Sequence, residues 1–429
     1  MKLSLFRTRI GLTPARGLSA LFVPILLVAM TTPRAAAADI GDVFVIALEN
    51  HNFTQPAKVH NARRHQPQQL LGNPACPFFN SLVTPGDPNA KYVSFCSHYS
   101  NAGNRVHPSE ASLIWSECGT NYNPTTHVIV RNDDDPSALS GNIFTIPHLT
   151  GMMDAAHLPW KDYQEDVQIS GKGELFSSHG KLPAGVTNPF NGTNLYDYAC
   201  KHNPMCFFAD SASRNVYPIS QLTRDLTDNT VGRYNWITPD QFNEMHSPLP
   251  DGYTYHGVHY TGDQSAIASG DHCLSILIPL IEASQAFKNN GLIIIWTDET
   301  EGGDTAEFTL PEVIISPLAK GNAYDSKVPV NRSSDLKTMQ EIFRLGPYVD
   351  PSIPVSEYNI DGPGHFNKVI DVHDLSDLFL PGTIPAGVPS QSPAHAPDAA
   401  QEKGSSSLPI APAARVLMGA LGDVESDAA

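Results

Sequence analysis

Two short runs of this chain are apolar without interruption: Val43-Phe44-Val45-Ile46-Ala47-Leu48 and Leu292-Ile293-Ile294-Ile295-Trp296. A strand with one wet face alternates polar and apolar residues, so a run with no polar position is buried on both faces. Asp271 to Ala286 carries apolar residues at helical spacing just before the second run, and Pro311 to Ser316 reads as a further strand. Alternating helices and buried strands predict an α/β fold with a mostly parallel central sheet covered by helices on both faces. In such sheets the chemistry collects beyond the carboxyl ends of the strands.

The segment 1–38 reads as an export signal. Lys2, Arg7, Arg9 and Arg16 precede the apolar stretch Leu18 to Met30, and the small residues Ala35 to Ala38 come after it. That stretch is about 13 residues long, short of the roughly 20 a bilayer span requires, so no stable membrane span is expected and the location is secreted or periplasmic. Residues 39–383 read as one catalytic domain, and 384–429 as a Pro/Ala/Ser-rich tail expected to be disordered, apart from a short helix over 411–421. The whole chain has 27 Lys+Arg against 44 Asp+Glu, a formal charge of −17. The signal removes five basic residues and no acid, which takes the exported chain to −22. No basic excess exists to neutralise a phosphate backbone, so nucleic-acid binding by bulk electrostatics is excluded. Export also predicts disulfides among Cys76, Cys96, Cys118, Cys200, Cys206 and Cys273 rather than a cysteine metal site, since no CxxC pair occurs. Sequence alone does not choose the pairing.

The candidate chemistry stands immediately after the two apolar runs. The first leads into Glu49-Asn50-His51-Asn52, the second into Thr297-Asp298-Glu299-Thr300-Glu301-Gly302-Gly303-Asp304. Oxygen donors beyond two buried strands converge on one hard cation if the sheet sets the strands side by side; otherwise they are solvated turn residues or helix caps. Between them lies Arg105-Val106-His107-Pro108-Ser109-Glu110-Ala111-Ser112. Ser109 there is either an N-cap or a nucleophile at a helix start, where backbone amides favour an anion and a metal lowers the hydroxyl pKa. No GxSxG elbow is present.

In order along the chain stand ALENHNFTQ, HPSEASLIWSECGTNYNP, ITPDQFNEMH, GDHCLSILIPLI, LIIIWTDETEGGD, VIISPLAKG and SSDLKTMQEIF. This ordered set resembles the bacterial phosphoesterase family of secreted acid phosphatases and phospholipase C enzymes, within the alkaline-phosphatase-like superfamily. It looks most like acid phosphatases of the phosphatidylinositol-3-phosphatase type. The resemblance covers roughly residues 39–382 and implies an alkaline-phosphatase-like fold and a divalent metal ion. It implies Glu49, Asn50, Ser109, Asp298 and Glu299 as metal ligands, and Ser109 as the nucleophile. His107 and His246 fall at catalytic positions, and Asp240, Ser112 and Arg332 around the phosphoryl group. Three departures stand out: Ser112 replaces an Asn of HPSEPNY, Arg332 stands where His is usual, and Glu244 in NEMH takes a place where Asp is expected.

The function implied is a secreted, metal-dependent acid phosphatase that cleaves phosphate monoesters, phosphoinositides among them, through a phosphoserine at Ser109. The alternatives are a phospholipase C-type phosphodiesterase and a non-catalytic exported phosphate-binding protein. The expected partner is a small phosphate ester or a phospholipid head group; oligomeric state is left open. Trp160 and Tyr163 read either as an aromatic wall for substrate or as one packing face of a helix. His256 and His259 are candidates for a second metal site, and Arg105 and Lys320 for a local positive site in an acidic protein.

Overall fold

The computed structural model describes residues 39–49, 51–54, 69–101, 106–299, 310–345 and 373–385. They lie within one unit, Ala37–Ala429. The export segment, Asn50, Arg105 and the tail from 386 onward, with its expected helix, lie outside the described residues.

Eight strands make the central sheet: β1 Val43–Leu48, β2 Val93–Cys96, β3 Trp160–Gln164, β4 Val216–Pro218, β5 Tyr234–Thr238, β6 Leu292–Thr297, β7 Glu312–Ile315 and β8 Tyr324–Ser326. Their spatial order is β8-β2-β7-β6-β1-β5-β3-β4. The run β6-β1-β5-β3-β4 is parallel throughout. The Pro311 to Ser316 segment supplies β7 as expected, but antiparallel to β6 and β2.

The helices used below are α1 Pro77–Leu82, α2 Ser109–Cys118, α3 Leu149–Ala155, α4 Ser220–Asp228, α5 Asp263–Glu282, α6 Gln285–Lys288 and α7 Arg332–Phe343. Side chains alternate across a strand, and β1 shows what its unbroken apolar run is for. Phe44, Ile46 and Leu48 enter one core with Phe79 of α1, Leu222 and Leu226 of α4, Leu274 and Ile278 of α5 and Phe287 of α6. Val43, Val45 and Ala47 enter the other with Leu113 of α2, Met153 of α3 and Leu336 and Met339 of α7. Each large side chain buried this way contributes about 1.5–3 kcal/mol, so the two-sided core is the fold's main support.

Three expectations change on contact with the structure. The helix expected at 271–286 starts earlier, at Asp263, and α6 is separate from it. Its first half was hidden because it buries polar residues: Ser269 Oγ donates to Asn243 Oδ1 at 2.9 Å, and Asp271 accepts the Phe78 and Phe79 amides at 2.9 and 2.7 Å. Trp160 and Tyr163 form neither a helix face nor a wall: both are in β3, Trp160 in one core and Tyr163 in the other. All six cysteines are free thiols. Four donate to separate backbone carbonyls, Cys76 to Leu70, Cys96 to Val328, Cys118 to Thr120 and Cys206 to Glu174. Cys200 and Cys206 hydrogen-bond to each other.

Candidate functional site

Leu48 pairs with Thr297 in the β1/β6 register, and the Asp298 amide donates to the Leu48 carbonyl at 3.2 Å. Glu49 and Asp298 therefore leave adjacent parallel strands at the same end of the sheet. The neighbouring strand β5 ends at Thr238, and the turn after it places the Glu244 carbonyl 2.8 Å from the Glu49 amide. Sheet geometry sets Glu49 beside Asp298, and the turn after β5 adds Glu244. Burial, followed by the charges of Asp298 and Glu244, pushes the Glu49 carboxyl well above the usual range. Glu244 is raised in the same way, burial first and Asp298 next.

Ser109 enters this acid cluster from α2. Pro108 occupies the N-cap and makes no side-chain cap, so Ser109 is the first helical residue and its hydroxyl is not spent on capping. It donates to Glu49 Oε2 at 2.8 Å, with Glu299 Oε1 further away at 3.5 Å. Glu299 also holds the Nδ1 of His107, two residues before the serine. Burial raises the Glu299 carboxyl to about 7 against the pull of that histidine. Glu110 turns the other way: its carboxylate accepts the Asp134 amide at 2.7 Å and the Asn142 side-chain amide at 2.8 Å, which ties down the loop beyond α2. Asp133 accepts the Glu110 amide at 3.2 Å and Lys201 Nζ at 2.9 Å, so one carboxylate links the helix start to a lysine.

That lysine and its neighbour were missed in the sequence. His202 Nδ1 lies 2.6 Å from Glu244 Oε1, and its Nε2 lies 3.5 Å from Glu49 Oε1. Burial, aided by Lys201 and His246, holds the His202 imidazole well below its usual value, hence neutral and able to offer a lone pair. His246 packs edge-on against it, ring centroids 5.3 Å apart. One ligand atom from each of Glu49, His202 and His246 falls within 4.8 Å of the others. The sole signal in the sequence was that Lys201 and His202 stand in the small loop between Cys200 and Cys206. Glycine makes room for the turn that bears Glu244: a Cβ on Gly270 of α5 would stand 2.3 Å from Met245 Cγ, and Met245 itself has φ +78°.

The structure thus brings together Glu49, Ser109, His107, Asp298, Glu299 and His246, and does not bring in the rest. Asn50 lies outside the described residues. Ser112 is fully buried and donates to the Val106 carbonyl at 3.1 Å, so it holds the loop before the nucleophile instead of meeting substrate. Arg332, also fully buried, sits over the Trp296 ring at 4.4 Å and donates through Nε to Asn101 Oδ1 at 3.1 Å. Asn101 in turn donates to the same Val106 carbonyl at 3.1 Å. In the interior the Arg332 charge acts on the buried Glu312 and Asp335 carboxyls, and its Nε bond ties it to the loop before the nucleophile. Asp240 joins Glu165 and Asp166 in a separate trio. His259 is exposed and bonds Thr254, while Lys320 pairs with Asp377 at 2.6 Å.

A second histidine with acids at both nitrogens, Glu117–His148–Asp210, is built like a catalytic relay, but the hydroxyl beside it, Thr150 Oγ1, is fully buried and donates to Glu117 Oε2 at 2.8 Å. His148 Nδ1 and Nε2 each lie 2.9 Å from their carboxylates, and the ring stacks on Phe208 at 4.0 Å. Glu117 comes eight residues after Ser109 on α2, about 12 Å along the helix. The two acids overcome burial and raise His148 from 6.5 to about 9. A raised imidazole stabilises the fold fully below about 6.5 and loses that contribution as pH rises through about 9, here roughly 3 kcal/mol. Denaturant unfolding across that window should show stability falling with pH, and His148→Gln should flatten the slope; an unchanged slope in the variant would refute the assignment.

The Phosphoesterase family model matches residues 77–346. The phosphate-repressible acid phosphatase of Penicillium chrysogenum is 26% identical over 220 residues, which span 50% of this chain and 42% of that protein. Similar solved structures include a protein in the alkaline phosphatase superfamily from Vibrio parahaemolyticus, with 11% identity, TM-score 0.39, and 72% and 67% of the two chains covered. Another is the lipoteichoic acid synthase LtaP of Listeria monocytogenes, with 10% identity, TM-score 0.42, and coverage of 72% and 73%. With a match that spans well over half of its residues, the chain belongs to the Phosphoesterase family.

Proposed function

We propose that this protein is an exported, metal-dependent phosphatase that hydrolyses small phosphate monoesters through Ser109. The observation that carries this reading is the Ser109 hydroxyl, free of capping and 2.8 Å from Glu49, within a buried set of acids and neutral imidazole. The acid phosphatase relative supports a monoester, and the cationic stretch at the N-terminus supports export.

The residues suit a divalent metal. His202 Nε2 and Glu244 Oε2 are buried and receive no hydrogen bond, and several carboxylates converge beside them, with the Lys201 charge acting on Glu49 and Glu244. Carboxylate oxygens with imidazole nitrogens fit Zn²⁺, Mn²⁺ or Fe²⁺. Glu49, Ser109, Asp298 and Glu299 would hold it, with Asn50 by resemblance and His202 and His246 by geometry. When bound, the metal supplies positive charge that polarises the phosphoryl group and favours the serine alkoxide.

The chain's own groups arrange the rest. Ser109 Oγ attacks phosphorus while the bond to the alcohol breaks, and its proton already lies on a hydrogen bond toward Glu49 Oε2. His107, oriented through Nδ1 by Glu299, protonates the departing alcohol oxygen. Lys201, fixed by Asp133 next to the helix start, supplies a positive charge for the phosphate. Water then cleaves the phosphoserine. Steady-state assays on an aryl phosphate monoester, an aryl phosphocholine diester and phosphatidylcholine vesicles test the reading. Expected is monoester turnover that a chelator abolishes and a divalent metal restores; preference for the diesters would make it a phosphodiesterase, and phosphate binding without turnover a binding protein.

A further inference from the structure

Glu165 and Asp166 come directly after β3, and Asp240 after β5, the adjacent parallel strand, so a second group of acids lies at the same end of the sheet. One oxygen of each falls within 4.8 Å of the others. Glu165 is already well served by donors: the Asp240 amide at 2.8 Å, Asn188 Nδ2 at 2.6 Å and Asn243 Nδ2 at 2.9 and 3.1 Å. Asp240 spends Oδ1 on the amides of Phe242 and Asn243, both at 3.1 Å.

The remaining oxygens have no such service. Asp240 is 1% exposed and Asp166 9%, and the Oδ2 of each receives no hydrogen bond. The two carboxyls face each other. Among the described residues, no lysine or arginine forms an ion pair with any of the three. Burial, then the charge of Asp166, pushes Glu165 up to about 8; burial, with Asp197 behind it and against a hydrogen bond with Asp240, takes Asp166 to about 6; burial, then Glu165 and Asp166, holds Asp240 well above the ordinary range. Neighbouring amides donate to Glu165 and to Asp240 Oδ1, whereas the facing Asp166 and Asp240 carboxyls have each other as side-chain partner, a bond that needs one of them to keep its proton. A buried carboxylate in that state costs several kcal/mol unless it is neutralised.

We propose that Glu165, Asp166 and Asp240 form a second cation site, distinct from the Ser109 cluster, which takes a hard divalent cation of the Ca²⁺ type. The donor set is oxygen alone, with no histidine or cysteine in it, which selects against the softer metals that the Glu49, His202 and His246 group accommodates. The site also has work to do. The Asn243 and Glu244 amides donate to the Asp240 carbonyl at 2.8 and 2.9 Å, and Asn243 holds Glu165. A cation on Asp240 would thus anchor the turn that carries Glu244 and His246 to the catalytic cluster.

The test uses the full exported chain with Glu49→Gln, which empties the Ser109 cluster of its metal, so this proposal and the catalytic one can fail separately. Freed of metal and titrated with Ca²⁺ by calorimetry, this protein should bind one equivalent per chain. Its melting temperature should rise by on the order of 4 °C at about a hundredfold excess over the dissociation constant. Adding Asp166→Asn and Asp240→Asn should abolish both responses; Asp166→Asn alone, a milder change near the edge of burial, should weaken Ca²⁺ at least about tenfold and serves if the double replacement does not fold. Absence of Ca²⁺ binding to Glu49→Gln, or binding untouched by these replacements, would overturn the proposal and leave the trio as carboxyls that keep their protons.

Discussion

Ser109→Ala should abolish phosphate ester hydrolysis, with kcat on the monoester reduced by at least about 10³-fold while the protein keeps its fold and its metal-dependent phosphate binding. The reason is that this hydroxyl has a single task. It does not cap α2, since Pro108 holds the N-cap, and its one short contact is the Glu49 carboxylate at 2.8 Å. Its removal deletes the nucleophile without opening a cavity larger than one oxygen atom. Loss of the attacking group removes chemistry altogether, and what survives is the electrostatic contribution of the surrounding donors, so residual rate is expected to be small. Rapid quench after mixing with labelled monoester should trap phosphate on the wild-type chain and none on the variant. Full activity in Ser109→Ala, or equal labelling, would remove Ser109 from the mechanism.

Glu49→Gln should separate activity from stability in opposite directions. Glu49 is buried beside Asp298 and Glu244, which raise its carboxyl well above its unfolded value after burial itself. A carboxyl raised in the folded state costs stability once pH exceeds its unfolded value near 4.5, and the cost grows until the folded value is passed. In metal-free protein at neutral pH the neutral amide relieves that cost, so the variant should melt at or above the wild type. Activity should nevertheless fall by about 10² or more, because both the acceptor of the Ser109 proton and a charged ligand are gone. Metal content by elemental analysis should fall with it. A variant that melts well below metal-free wild type would show that Glu49 is stabilised as an anion, contrary to the burial it has here.

Much of this site was legible from residue order. Glu49, Asp298 and Glu299 were readable because each stands after an uninterrupted apolar run, and such a run ends where a buried strand leaves the sheet. Ser109 and His107 were readable from a short polar motif before an apolar helix, although nothing in the motif distinguished a nucleophile from a cap. Lys201 and His202 gave no comparable signal: they lie in a short 3₁₀ turn, Cys200–His202, after a brief hairpin strand, Leu195–Tyr198, that is outside the central sheet. Their proximity to Glu49 and Glu244 depends on how that loop folds back over the sheet edge. Ser112 and Arg332 were misread for the converse reason, since a polar residue in a motif is equally able to point inward. Only packing shows that both serve the Val106 carbonyl, Ser112 directly and Arg332 through Asn101.

The cysteines make the same point from another side. Six thiols in an exported chain read as a framework of bridges, yet in the folded protein they are spread over three core clusters as free thiols: Cys76, Cys96, Cys118 and Cys206 bond to backbone carbonyls, and Cys200 and Cys206 meet as a hydrogen-bonded pair. Pairing requires that two sulfur atoms meet, which is a property of the fold and not of the count.

Sequence by itself determined the class of fold and the edge at which chemistry would occur, because unbroken apolarity over six residues demands burial on both faces and polar residues end such runs. It could not determine which side chains meet there. Adjacency of β6, β1, β5 and β3 decided that, setting Asp298, Glu49, Glu244 and the Glu165 trio along one edge from segments as much as 249 residues apart, Glu49 to Asp298. Contacts that distant leave no trace in local patterning, since each partner's neighbours in the chain satisfy only their own strand or turn.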